Sequence, residues 1–339
     1  MTLTILGCGT LGIAILSGIL DSISHHPNQS AAPSPAYPDS GTATPTSTTS
    51  PSSASSKLPL FETPSKFIAC VRRPESAKRI KVAVSAYPVV SSNVTILQNE
   101  NVRGVAAADI VILGCKPYMV NDLLSDPSLR DALAGKLLIS ICAGVPVDQI
   151  STALYGVKYA DIPDPEKSCR IVRVMPNTAA LVRESMTVIA TSNPPLPPHY
   201  ADLTNWIFTR VGRTVTLPPS MMDVSTALCG SGPGFLALFM ESLADGAVAM
   251  GLPRAEAQLM AAQTMRGTAG LVLNGEHPAL VREKVCTPGG CTIGGLLELE
   301  EGGVRGAVSR SVRKATVVAG QLGRGVSGVN ATAIYPPGQ

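Results

Sequence analysis

The sequence predicts an α/β domain built on a parallel sheet, followed by an all-α domain. Short apolar runs rich in β-branched residues recur through the first part of the chain, and a helical pattern follows the first of them, as in a βαβ unit. A glycine-rich turn directly follows the first of these runs. Strand patterns end at Pro218 and Pro219, and helical patterns alone follow. We therefore expect a dinucleotide-binding domain over 1–217, a helical domain over 218–326 and a flexible tail over 327–339.

Length and composition exclude several classes of function. A chain of 339 residues with 45% hydrophobic and 15% charged residues fits a globular protein of two domains. The net charge of +3 and the aromatic content of 4% offer neither a basic stripe nor a stacking surface for nucleic acid. The 8 cysteines form no C-x-x-C pair and have no zinc-ligand spacing, so we expect a reduced compartment and no metal.

The first strand and helix enclose a G-x-G-x-x-G motif. Thr2–Leu6 is β-prone, Gly7-Cys-Gly-Thr-Leu-Gly12 follows it directly, and a buried helical pattern comes next. In such a dinucleotide site Gly7 makes the turn, Gly9 lets the pyrophosphate approach, and Gly12 lets the helix pack on the strand. The alternative is a structural glycine turn that binds no ligand.

The N-terminal run also has a second interpretation. Thr2–Leu20 carries no charge and a Ser/Thr/Pro-rich tract follows, as in a signal anchor with a glycosylated stalk. However, no Lys or Arg precedes the run, and its four glycines would weaken a spanning helix. We therefore expect a cytoplasmic protein without a membrane span.

A low-complexity insert separates the first helix from the second strand, Lys66–Val71. Residues 27–64 are nearly all Ser, Thr, Pro and Ala, which bury too little apolar surface to fold, so we expect a disordered loop. Without the insert, about 20 residues separate Gly12 from Val71, the spacing at which a dinucleotide-binding fold places its ribose-reading side chain. The insert therefore interrupts an ordinary βαβ unit.

Two arginines follow the second strand and indicate the choice of cofactor. Arg72 and Arg73 stand where an NAD-binding enzyme usually carries Asp or Glu. Paired guanidinium groups suit a 2′-phosphate, so we expect NADPH as the cofactor, with NADH also possible. A solvated basic turn is the alternative.

Further strands extend the predicted sheet. The runs at 109–113, 136–141 and 170–175 are typical of buried parallel strands, and the first two end in small residues, as strand ends do beneath a cofactor. The runs at 186–190 and 214–217 can extend the sheet, with a helix over 200–209 between them.

The helical domain carries apolar residues on several faces of its helices. Phe235–Met250 is apolar round most of its surface, and Arg254–Leu273 is rich in Ala and Met. Helices of this kind need partners on several sides, so we expect an interlocked homodimer.

A glycine-rich turn in this domain predicts the substrate site. Pro288, Gly289 and Gly290 form a tight turn, a helical pattern runs from Thr292 to Glu301, and two glycines end it. A turn that leads into a helix N-terminus presents free N–H groups, which bind small anions such as carboxylates. An ordinary loop and helix cap is the alternative.

These motifs together closely resemble the pyrroline-5-carboxylate reductase family. The resemblance covers nearly the whole chain except 27–64 and the tail after Val326. Its motifs, in chain order, are Leu6-Gly-Cys-Gly-Thr-Leu11, Cys115-Lys-Pro117, Ala143-Gly-Val145, Arg173-Val-Met-Pro-Asn-Thr178, Gly230-Ser-Gly-Pro233, Leu243-Ala-Asp-Gly246, Met250-Gly-Leu-Pro-Arg254, His277-Pro278 and Thr287-Pro-Gly-Gly-Cys-Thr292.

The resemblance implies a Rossmann domain followed by a helical dimerisation domain, in a homodimer or a larger ring of dimers. It implies hydride transfer from NAD(P)H to the C=N carbon of 1-pyrroline-5-carboxylate, which gives L-proline. The implied cofactor contacts fall into three groups. Asn101 contacts the adenosine. The first glycine-rich motif contributes Leu6, Gly7, Cys8, Gly9, Thr10 and Leu11, and the nicotinamide side contributes Gly114, Cys115, Lys116, Pro117, Ile141, Cys142 and Ala143. The implied substrate residues are Lys284, Gly289, Gly290, Cys291 and Thr292, and Glu276 matches an acid near the substrate nitrogen.

Reduction of a protonated imine requires mainly positioning and hydride delivery, so the lack of a nucleophile–base pair is no obstacle. Thr292 and Glu276 are the candidate catalytic residues, and the sequence identifies no proton donor. One alternative is another imine or β-hydroxyacid reductase, which should use a catalytic lysine; Lys284 and Lys314 are the only lysines of the helical domain. The other is a non-catalytic NADP sensor, which would have an inert substrate loop.

Overall fold

The structure is a computed structural model that describes residues 1–25, 62–164, 167–323 and 326. The chain divides into two compact units, Met1–Met222 and Asp223–Gln339, and each is described here by itself. The predicted insert lies outside the described residues except at 62–64, and so does the predicted tail at 327–339. The domain boundary at 217 stays a prediction.

The first unit is built on one mixed sheet with strand order β3-β2-β1-β4-β5-β6-β7-β8. Strands β1 to β6 run parallel to one another, β7 runs antiparallel to β6, and β8 is parallel to β7. Among the described residues the strands are β1 (Thr2–Leu6), β2 (Lys66–Val71), β3 (Val94–Gln98), β4 (Ile110–Leu113), β5 (Leu137–Ser140), β6 (Arg170–Met175), β7 (Ser185–Ala190) and β8 (Gly212–Leu217).

Helices cover both faces of this sheet, which explains why its central strands are continuous apolar runs. The helices are α1 (Thr10–His25), α2 (Pro74–Ser85), α3 (Asn101–Ala106), α4 (Val120–Leu124), α5 (Pro127–Leu133), α6 (Val147–Tyr155) and α7 (Pro198–Thr209). One buried cluster contains Ile5, Ile15 and Phe208, and a second contains Leu6 and Leu138. Successive residues of β1 thus enter different clusters, as the pleat of a strand requires.

The predicted strands are confirmed to within two residues, but β3 and the helices α2 to α6 were missed. β3 is one of the two edge strands and buries only Leu97, and its sequence lacks the apolar run that marks the central strands. α2 begins at Pro74, and a proline in the first turn is a helix-start signal that the sequence does carry.

The second unit is helical, as predicted. After α8 (Met222–Ser225) a π-helical turn covers Thr226–Gly230. The later helices are α9 (Gly232–Ala249), α10 (Arg254–Leu273), α11 (Pro278–Lys284), α12 (Cys291–Glu301) and α13 (Val304–Gly323). α9 packs on α10, and α13 packs on both the π-helical turn and α12.

Much of the apolar surface of these helices is exposed in the single chain. Leu238 of α9 is 63% exposed and Leu259 of α10 is 70% exposed, whereas the buried positions are small, such as Ala244 and Ala261. Within the described ranges, one helical stretch, Pro219–Ala249, is long and apolar enough to cross a membrane by length and composition alone. Apolar helix faces of this kind also bind other protein chains.

Candidate active site

The carboxyl ends of β1 and β4 form the switch point of the first sheet. The chain leaves β1 towards β2 on one side, while β4 pairs with β1 on the other side. Ligands of doubly wound folds bind in the crevice that this arrangement opens. The glycine turn lies there: the backbone N–H groups of Gly7 and Cys8 both donate to the carbonyl of Cys70 at 3.1 Å.

The three glycines of the first motif have different surroundings, which explain why each position carries no side chain. Gly7 has φ +85°, and a Cβ on it would lie 2.8 Å from the backbone nitrogen of Cys115. Nothing lies within 4 Å of a Cβ built on Gly9, so this side of the turn is open. A Cβ on Gly12 would lie 3.0 Å from Ile5 Cγ2, where α1 packs on β1. The open side and the first turn of α1 therefore fit the pyrophosphate of a dinucleotide.

The two arginines predicted to select the cofactor are exposed at the carboxyl end of β2. Arg73 is the N-cap of α2, and its carbonyl accepts hydrogen bonds from the N–H groups of Ser76 and Ala77. Its side chain makes no capping hydrogen bond. The Arg72 carbonyl accepts from the Gln98 amide at 3.4 Å. Among the described residues neither guanidinium has an ion-pair partner, which leaves both available to an anionic group.

A third guanidinium, missed from the sequence, reaches the glycine turn from α2. Arg79 Nη2 donates to Thr10 Oγ1 at 3.1 Å, and Thr10 is the first residue of α1. Both side chains are exposed. The proline and acid at 74 and 75 could have indicated the helix that places Arg79 there.

The residues implied on the nicotinamide side line the ends of β4 and β5. Gly114 N–H donates to the Leu6 carbonyl at 2.8 Å, and Ile141 N–H donates to the Leu113 carbonyl at 3.0 Å. Lys116 is exposed before a short 3-10 turn. Asn101 is half-buried at the start of α3. The structure thus brings the predicted cofactor residues to one edge of the sheet.

The predicted substrate loop in the second unit is a tight turn of the expected kind. Gly290 N–H donates to the Thr287 carbonyl at 2.9 Å, and Gly289 has φ +69°. Proline followed by a glycine with positive φ is the sequence of a type II turn. α12 then begins at Cys291, one residue before the predicted start.

The first turn of α12 has backbone N–H groups that no side chain caps. Its N-cap is Gly290, which has no side chain to accept a hydrogen bond from them. Thr292 is half-buried, and within the described part of the chain its hydroxyl has no hydrogen-bond partner. The N-terminus of a helix without a side-chain cap can bind a carboxylate through its N–H groups. The apolar side chains that predict this helix, such as Leu297, are exposed in the single chain.

The two charged substrate candidates form an ion pair with each other. Lys284 Nζ lies 2.5 Å from Glu276 Oε2, across the turn between α10 and α11. Between them His277 is the N-cap of α11, and its Nδ1 accepts from the Ala279 N–H at 3.2 Å. This role explains the His-Pro motif without catalysis by the imidazole. Across the described ranges, no cluster of three or more potential ligands could hold a metal ion.

The match to known proteins covers both units. Residues 219–322 match the family model for pyrroline-5-carboxylate reductase dimerisation. Residues 52–144 match the model described as NADP oxidoreductase, coenzyme F420-dependent.

Individual proteins match the chain along nearly all its length. The pyrroline-5-carboxylate reductase of Lophium arboricola is 57% identical over 334 residues, covering 98% of this chain and 96% of the relative. That of Neurospora crassa is 51% identical over 350 residues, with coverage of 98% and 96%. The crystal structure of Plasmodium falciparum pyrroline carboxylate reductase with NADP bound shares the fold at a TM-score of 0.69 and 22% identity, covering 95% of this chain and 98% of that chain. These matches confirm the predicted resemblance, and the chain belongs to the pyrroline-5-carboxylate reductase family.

Proposed function

We propose that this protein reduces 1-pyrroline-5-carboxylate to L-proline with NADPH as the hydride donor, the last step of proline biosynthesis. The observation that carries the proposal is the 57% identity to a reductase of that name over 98% of the chain. A match of that extent includes both the sheet edge and the helical unit. The alternatives, another imine or β-hydroxyacid reductase and a non-catalytic NADP sensor, lack a comparable observation.

The first unit supplies the proposed cofactor contacts. When bound, NADPH supplies the hydride that the imine carbon accepts. The backbone from Gly7 to Gly9 and the first turn of α1 hold the pyrophosphate, because this side of the turn is open. Arg72 and Arg73 bind the 2′-phosphate, and their lack of carboxylate partners in the described chain supports that role.

The second unit supplies the proposed substrate contacts. The Gly289–Gly290 turn, the N–H groups of Cys291 and Thr292, and the Thr292 hydroxyl hold the substrate carboxylate. Glu276 accepts a hydrogen bond from the protonated imine nitrogen. Lys284 neutralises Glu276 in the chain without substrate, and a cationic imine can replace it at the same carboxylate.

A comparison of substrates tests this proposal against its rivals. The purified protein is assayed with NADPH and 1-pyrroline-5-carboxylate, with NADPH and unsubstituted 1-pyrroline, and with NADP⁺ and a β-hydroxyacid. We expect the carboxylated imine to give by far the highest kcat/KM. A higher value for either other substrate would favour the alternative reductases, and no turnover with any would favour the sensor.

Thr292→Val tests the carboxylate site. The change keeps the side-chain shape and removes one charge-assisted hydrogen bond, so kcat/KM for the carboxylated imine should fall about ten- to a hundredfold. The rate with unsubstituted 1-pyrroline and the affinity for NADPH should stay the same. Thr268→Val, which removes a hydroxyl bonded within α10, is the matched control. Unchanged kinetics together with a lower Tm would reduce Thr292 to a helix-stabilising residue.

Arg79→Ala tests the third guanidinium. Because Arg79 reaches Thr10 at the pyrophosphate end of α1, KM should rise about tenfold for NADPH and NADH alike. Lys81→Ala, an exposed cation on the same helix, should change neither value. A loss confined to NADPH would instead assign Arg79 to the 2′-phosphate, and no loss would remove it from the site.

We infer that the protein is a homodimer or a larger ring of dimers. The exposed apolar faces of α9 and α10 and the match to a dimerisation model support this inference. Light scattering on the purified chain measures the oligomer mass, and a monomer would contradict it. The cytoplasmic location stays a prediction from composition.

A further inference from the structure

Two cysteines lie opposite each other at the carboxyl ends of β4 and β5. The register pairs Leu113 of β4 with Ser140 of β5. Cys115 lies two residues after Leu113, and Cys142 lies two residues after Ser140. Ile141 N–H extends the pairing by donating to the Leu113 carbonyl. Both cysteines therefore lie just beyond the carboxyl ends of the same pair of strands.

The side chain of Cys142 is in direct contact with the backbone of Cys115. Cys142 Sγ lies 3.3 Å from the Cys115 carbonyl oxygen and 3.5 Å from the Leu113 carbonyl oxygen, and its thiol donates to both. Both belong to the cluster on one face of the sheet, with Cys115 at its margin. Neighbouring strands lie about 4.7–4.9 Å apart, and disulfides join Cα atoms about 4.4–6.8 Å apart, so the spacing of the two strand ends falls within the range of a disulfide.

The two thiols differ in accessibility and acidity. Cys115 is half-buried, whereas Cys142 is 3% exposed. Side-chain interaction with Cys142 lowers the pKa of the Cys115 thiol, and the same interaction together with burial raises the pKa of Cys142. By contrast, burial raises the pKa of Cys8 and of Cys70 to about 12. Cys115 is thus the thiol of this edge best suited to attack an oxidant.

We propose that Cys115 and Cys142 are a peroxide-sensitive modification site that forms a reversible disulfide at the cofactor edge. The Cys115 thiolate attacks hydrogen peroxide, the O–O bond breaks, and a sulfenic acid and hydroxide result. The Cys142 sulfur then attacks the Cys115 sulfur, so that the S–S bond forms, the S–O bond breaks and water leaves. Two thiols lose two electrons, the peroxide gains two, and a dithiol reductant reverses the change.

Bound cofactor should shield this site. Gly7 approaches the Cys115 backbone so closely that a Cβ on Gly7 would lie 2.8 Å from its nitrogen. A dinucleotide on the glycine turn would therefore cover the exposed side of Cys115. This second part rests on the proposed function, whereas the disulfide rests only on the paired thiols.

The test is a peptide mass measurement on the full-length wild-type protein. Reduced protein is treated with hydrogen peroxide, with and without NADP⁺, and the remaining thiols are blocked before digestion. We expect one linked peptide pair that joins Cys115 to Cys142 and disappears on treatment with dithiothreitol. With NADP⁺ at about 100 times its Kd, the linkage should form about a hundredfold more slowly, because only the free protein reacts.

Variants assign the two steps. Cys142→Ser should stop at a Cys115 sulfenic acid that dimedone labels, and Cys115→Ser should give neither the label at 115 nor the linkage. Cys229 is a half-buried cysteine of the second unit, and the control variant Cys229→Ser should form the linkage between 115 and 142 as the wild type does. Peroxide consumption without any linkage between 115 and 142 in the wild type would overturn the proposal.

A separate NADP⁺ titration distinguishes the two parts. If NADP⁺ binds but does not slow the linkage, the shielding at Cys115 is refuted. If NADP⁺ does not bind and the linkage still forms, the proposed function fails while the disulfide site stands.

Discussion

The double variant Arg72→Ser, Arg73→Ser is expected to raise KM for NADPH roughly ten- to a thousandfold and to leave KM for NADH nearly unchanged. Each guanidinium can donate charge-assisted hydrogen bonds to a 2′-phosphate, which NADH lacks. The range is wide because both side chains are exposed, and solvent screens exposed charge pairs. Steady-state kinetics with each cofactor at saturating imine measure the effect.

A matched control separates recognition from general charge. Lys81→Ser removes an exposed cation from α2, at a distance in sequence from the strand end, and should leave both KM values unchanged. Equal losses with NADPH and NADH in the double variant would show that the arginines support the fold of the β2–α2 turn and do not select the cofactor.

Gly9→Ala is expected to reduce affinity for both cofactors about ten- to a hundredfold while the Tm stays nearly constant. In the chain alone nothing lies within 4 Å of the added methyl group, so the fold has room for it. The methyl would occupy the side of the turn that the pyrophosphate needs, and overpacking of this kind costs about 1–3 kcal/mol. Fluorescence titration with NADPH and with NADH, beside a thermal melt, measures both quantities.

Gly7→Ala provides the contrast. Its φ of +85° and the 2.8 Å approach to Cys115 predict a loss of stability as well as of binding. Gly135→Ala has a similar φ of +70° with nothing within 4 Å, so it isolates the conformational cost. Normal cofactor affinity in Gly9→Ala would mean that the turn is structural and binds no dinucleotide.

The central sheet could be predicted because its strands are buried on both faces. Ile110–Leu113 and Leu137–Ser140 are fully buried, so their apolar runs are unambiguous in sequence. β3 could not be found in this way, because it has one buried residue, Leu97, and no continuous apolar run. Because α2 was not predicted, the contact of Arg79 with Thr10 could not be predicted either, since it depends on that helix.

In the second unit, sequence patterns predicted helices and a turn but not the pairing of side chains. Pro288 and Gly289 specify their turn locally, so its geometry follows from two residues. The ion pair between Glu276 and Lys284 depends on how α10 and α11 meet, which no local pattern encodes. α9 is apolar round most of its surface, which predicts neighbours on several sides, and its leucines are exposed in the single chain.

The stoichiometry of product formation tests the proposed reaction most directly. Purified full-length protein is mixed with excess 1-pyrroline-5-carboxylate and a known amount of NADPH, and L-proline is quantified by chiral chromatography. The proposed function predicts one L-proline for each NADPH consumed. NADPH that binds without being consumed, or is consumed without L-proline appearing, would contradict it.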